Sequence, residues 1–105
     1  MKSTNKKRSR KPVHPGRVFK LDVLEPLNMN ITTAAKALGI SRKHLSKFAN
    51  EQVPCSKDLA RRLAIATNTS TTSWLNMQTA VDIWEAEHTE KAAYASVQSF
   101  TQLAA

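Results

Sequence analysis

The stretch ITTAAKALGISRKHLSKFAN, residues 31–50, decides the fold. Ala34, Ala35 and Leu38 recur at helical spacing and face inward on a helix predicted over 31–38. Asn30 stands ahead of it as a good N-cap. Gly39 ends it, because glycine accepts the left-handed backbone that closes a helix. Ile40 plugs the turn, and Ser41 caps a second helix over 42–50. On that helix Leu45, Phe48 and Ala49 fall on one side, while Arg42, Lys43, Ser46, Lys47 and Asn50 fall on the other or flank it. Two helices joined by Gly39-Ile40-Ser41, about twenty residues in all, have the size and turn of a helix-turn-helix. The outward face is basic and rich in donors. Arginine can take guanine O6 and N7 together, and lysine reaches guanine acceptors or phosphate as a point charge. Asn30 and Ser41 sit at helix N-termini, where backbone N–H groups favour phosphate. The bland alternative is a solvated helix face; the glycine turn, the buried plug and the charge asymmetry argue against it.

Outward from this centre the chain continues in helices. Pro12 to Gly16 form an extended lead-in to a helix over 16–24, with Val18, Phe19, Leu21 and Leu24 as its apolar side. Glu25-Pro26 stops it, since the residue before proline is pushed out of the α region. Past Val53-Pro54-Cys55, Ser56 caps a helix over 57–67, where Leu59, Ala60, Leu63 and Ala66 follow helical spacing. Ser70 or Ser73 opens a last helix with an apolar stripe of Trp74, Leu75, Met77, Val81 and Trp84. Residues 89–105 either extend that helix or fray from it. With 105 residues there is room for one core, and with two glycines and four prolines the expectation is all-α.

The charge is unevenly spread. The chain carries 16 Lys and Arg against 8 Asp and Glu, a net of +8. Residues 1–66 hold fifteen bases and four acids; residues 67–105 hold one base and four acids. Lys2, Lys6, Lys7, Arg8, Arg10 and Lys11 crowd the N-terminus without an acid, so 1–13 is expected as a disordered basic arm that grips polyanion or simply aids solubility. No acid lies between residues 26 and 50, which hold Lys36, Arg42, Lys43 and Lys47. One sign of charge gathered near one element is the footprint of a phosphate binder. The lone Cys55 excludes an intrachain disulfide and a cysteine-based zinc site. It could be a redox-sensitive thiol or a plain loop cysteine. His14, His44 and His88 stand far apart with no metal-ligand spacing, so no metal, no cofactor and no enzyme activity are expected. His44 reads as a flank of the DNA face, and His14 as a contact at the start of the first helix. No apolar run approaches the ~20 residues of a membrane span, and no secretory apolar region follows the basic N-terminus, so a cytoplasmic protein is expected.

The stretches His14-Pro15-Gly16, Val23-Leu24-Glu25-Pro26-Leu27, Ala34-Ala35-Lys36-Ala37-Leu38-Gly39-Ile40-Ser41-Arg42 and Ser73-Trp74-Leu75-Asn76-Met77-Gln78-Thr79-Ala80-Val81-Asp82-Ile83-Trp84 together resemble the HigA-type antitoxins, a branch of the lambda-repressor-like helix-turn-helix superfamily. The likeness covers residues 13–87. It implies a five-helix domain that homodimerises, binds a palindromic operator in double-stranded DNA and represses its own operon. It also implies a partner, a HigB-type toxin that acts as a ribosome-dependent mRNA endonuclease. By position Ser41, Arg42, Lys43 and Lys47 match base-contacting residues. Asn30, Thr32, Thr33 and Asn50 match phosphate-contacting ones, and Ser46 on the same polar face joins them. The chain departs from the pattern at Asn50-Glu51-Gln52, where relatives often have Asn-Gly-Lys, and at Ile31-Thr32-Thr33, where Gln and Glu are common.

The domain expected is therefore 14–88, for DNA binding and dimerisation, with 89–105 as a helical extension or tail. Trp74, Leu75, Val81 and Trp84 either pack the core or close an isologous dimer seam. A dimer matters because two recognition helices must sit roughly 34 Å apart to read a palindrome. Two other functions compete with the antitoxin repressor: a stand-alone repressor without a toxin, and a non-specific nucleic-acid module driven by the basic arm.

Overall fold

Five helices begin on a side chain that accepts a backbone N–H: His14 from Gly16 (2.8 Å), Asn30 from Thr33 (2.8 Å), Ser41 from His44 (3.0 Å), Ser56 from Leu59 (3.1 Å) and Ser70 from Ser73 (3.0 Å). Each cap satisfies one of the donors that a helix start leaves open. The computed structural model describes residues 10–104. The expected arm over 1–13 therefore lies outside the described residues as far as residue 9, as does residue 105. The elements are α1 (Pro15–Val18), a π-helical turn (Phe19–Leu24), α2 (Ile31–Leu38), α3 (Arg42–Ala49), α4 (Lys57–Thr67), α5 (Thr71–His88), a 3-10 turn (Ala92–Ser96) and α6 (Phe100–Ala104). Among the described residues there is no strand, and the architecture is all-α as expected.

The core gathers Phe19 from the π turn, Leu45 and Phe48 from α3, Leu59 and Leu63 from α4, and Trp74 and Val81 from α5. Leu45, Phe48 and Leu63 have no exposed surface, so the inward face of α3 is completely covered. Burying side chains of that size stabilises the fold by about 1.5–3 kcal/mol each.

Two expectations need correction, and one open alternative is decided. The first helix is not a regular α-helix over 16–24. Its second half is a π turn, with the Glu25 N–H reaching Lys20 O at 3.1 Å. The wider turn brings Phe19 and Leu24 to the same buried side, where an α-helix would turn them apart. Leu21, expected with them, is instead 38% exposed. On α4 it is Ala64, not Ala66, that completes the buried face with Leu59, Ala60 and Leu63. Residues 89–104 do not extend α5: Thr89 turns to extended backbone, and none of these residues is buried.

Candidate nucleic-acid interface

The turn between α2 and α3 is held from both sides of the chain. Gly39 adopts φ 74°, left-handed backbone, and the Ile40 N–H closes onto Ala35 O at 3.1 Å. The carbonyls that α2 leaves open are met by Arg62 of α4. Its Nη1 donates to Leu38 O at 2.8 Å and to Gly39 O at 3.3 Å, while Nε pairs with Asp58 at 2.8 Å. The start of α3 is thus fixed by an arginine that sequence reading did not single out.

Its far end is fixed by the His14-Pro15-Gly16 stretch. The His14 ring lies 5.9 Å from the Phe48 ring, and its Nδ1 accepts the Gly16 N–H at 2.8 Å. Gly16 lies so close to α3 that an added Cβ would come within 1.8 Å of the Phe48 carbonyl oxygen. Only a glycine allows this approach. Burial pushes the His14 ring below its ordinary pKa of 6.5.

Arg42, Lys43, His44 and Lys47 all lie exposed on α3, opposite its buried side. Ser41 spends a lone pair on its cap and keeps a hydroxyl proton to donate. Asn30 likewise accepts through Oδ1 and keeps its two amide protons. Thr32 and Thr33 are exposed on the first turn of α2. Asn30, Ser46 and Asn50 meet at the rim of one notch of about 630 Å³, between the π turn, α2 and α3. Lys20, Asn28 and the acidic Glu25 line it too. Lys20 is the cation of this notch, and sequence reading passed over it because it lies on another helix. Glu51, where the family pattern has glycine, stands at φ 64°. The left-handed backbone that glycine would accept freely is thus retained by a glutamate.

Two of the four residues expected at a dimer seam are used inside the chain. Trp74 is 3% exposed and Val81 2%, so neither has surface left for a partner. Trp74 also donates its Nε1 proton to Thr69 Oγ1 at 2.8 Å. Both occupy the core side of α5, packed by the shorter helices. Leu75 and Trp84 keep part of their surface. Trp84 stacks on His88 at 4.1 Å, with Lys11 over its ring at 5.8 Å and paired to Glu85 at 3.0 Å. Cys55 is buried, and burial pushes its thiol up to about 11, which disfavours the thiolate.

No family model matches the chain. Antitoxin HigA-1 of Vibrio cholerae is 35% identical over 80 residues, covering 76% of this chain and 75% of that protein. The chain belongs to the HigA antitoxin family. The HTH-type transcriptional regulator YbaQ of Escherichia coli strain K12 is 37% identical over 83 residues, 79% of this chain and 74% of the regulator. Among solved structures, the antitoxin GraA in complex with its operator is 30% identical, with a TM-score of 0.75 over 89% of this chain and 95% of that one. Among the described residues, no helix is long and apolar enough to cross a membrane.

Proposed function

We propose that the chain is an antitoxin and transcriptional autorepressor. It binds a palindromic operator as a dimer and neutralises a HigB-type mRNA endonuclease. It acts by binding, in the cytoplasm, and not by catalysis. The observation that carries the reading is α3 itself: Arg42, Lys43 and Lys47 stand exposed on a helix whose back, Leu45 and Phe48, has no exposed surface. Such a helix presents fixed cations on a rigid support, which is what base reading in a major groove requires. Ser41, Arg42, Lys43 and Lys47 contact base edges. Asn30, Thr32, Thr33, Ser46 and Asn50 contact phosphates, with Lys20 beside them. The relatives support this by their names, and GraA by its complex with its operator. Residues 14–88 form the binding and dimerisation domain, in which Leu75 and Trp84 carry the seam.

The test is a fluorescence-anisotropy titration at about 0.15 M salt, comparing DNA upstream of the gene with a scrambled duplex of equal length. Specific repressors prefer their site by ~10³ or more. Equal binding to both duplexes overturns the repressor reading. Arg42→Ala is expected to cost ~1–3 kcal/mol on the operator and to relax choice at one base position, measured on operators varied base by base. Equal loss on random DNA removes Arg42 from base reading. Co-purification with the neighbouring gene's product separates the antitoxin from a stand-alone repressor.

A further inference from the structure

His14 has no place on the DNA-facing surface, yet it is built into the support of α3. It is 9% exposed and is the N-cap of α1, through the 2.8 Å bond from Gly16 N–H to Nδ1. Its ring also meets Phe48, which has no exposed surface, and the carbonyl of Phe48 lies against Gly16. One short stretch thus carries both the cap of α1 and the contact that seats the far end of the recognition helix. A ring nitrogen that accepts a hydrogen bond carries no proton, whereas imidazolium donates from both nitrogens. The cap therefore exists only on the neutral ring.

We propose that His14 is a positioning residue for the recognition helix, and that protonating it releases the α1 cap, loosens the seat of Phe48 and lowers operator affinity. This rests on the DNA-binding reading above. The groups around the ring divide. Burial has the largest effect and favours the neutral form, and Lys11, just ahead on the chain, acts in the same sense. Glu51 beyond α3, Glu85 on α5 and the backbone of Val53 favour the charged form. Asp82 of α5 lines the same cleft. The net direction is downward from 6.5. The capped state therefore binds fewer protons than the released one. Its advantage is complete above the ordinary histidine pKa and is lost as the pH falls from there through the lowered value.

Operator affinity of the full chain, measured at fixed salt from about pH 7.5 to about pH 5, tests this against His14→Asn. Asparagine caps a helix without changing charge in that range. His44 and His88 are present in both proteins and cancel in the comparison. The expected result is a wild-type loss of affinity relative to His14→Asn that opens as the pH falls below the ordinary histidine value and grows towards the acid end of the range. Parallel profiles overturn the proposal. Without DNA, NMR of the wild type follows the Gly16 amide and the Phe48 ring. Both are expected to titrate with the His14 ring at one midpoint below 6.5. A Gly16 amide that stays still while the ring titrates overturns this inference alone. Failure to prefer the operator at any pH overturns the DNA reading and this inference with it.

Discussion

Gly16 has no room for a methyl group. A Cβ would meet the Phe48 carbonyl, which is backbone and cannot swing aside. Gly16→Ala is expected to destabilise by about 1–3 kcal/mol, the usual cost of overpacking, measured as a lower midpoint in urea. Glu51 is the opposite case. Its φ of 64° costs an L-residue with a side chain about 1 kcal/mol, so Glu51→Gly is expected to raise the urea midpoint by a comparable amount. An unchanged or lower midpoint refutes strain at this position. The His14-Pro15-Gly16 motif was legible as a motif, and so was the missing glycine at 51. The reason for Gly16 was not, because it lies in a carbonyl on another helix.

At the scale of the element, the caps were the most legible feature. Asn30, Ser41 and Ser56 all accept the N–H their positions promise, and Ser70 rather than Ser73 opens α5. Capping is local chemistry, settled within four residues. The π turn was not legible, because it follows from the need to bury both Phe19 and Leu24. The end of α2 shows the same divide: Gly39 announces the stop, while Arg62 arrives from α4 to meet the carbonyls. Arg62→Ala is expected to cost about 1–2 kcal/mol in thermal unfolding, since two turn carbonyls lose their donor. Asp58→Ala is expected to cost under about 0.5 kcal/mol, because its pair with Arg62 is largely exposed. Equal losses in the two variants would assign Arg62's role to the ion pair and not to the cap.

For the whole molecule, the charge divides by element: α3 exposes Arg42, Lys43 and Lys47, while α5 exposes Asp82, Glu85 and Glu87. Residues 89–104 bury nothing, although Tyr94, Val97, Phe100 and Leu103 are apolar and exposed. Removing residues 89–105 is expected to change the unfolding free energy by less than about 0.5 kcal/mol, read by calorimetry. A larger loss refutes the placement of the folded core within 14–88. By itself the sequence determined the helices α2 to α5, the helix-turn-helix and the basic outer face of α3. Those depend on periodicity, capping and charge, all of which act between near neighbours in the chain. Only the tertiary structure decided that Trp74 and Val81 belong to the core, that Arg62 closes the turn, that Lys20 joins Asn30, Ser46 and Asn50 at one notch, and that Gly16 touches Phe48. Each of these is a distance between residues on different elements, set by how the helices pack around one core.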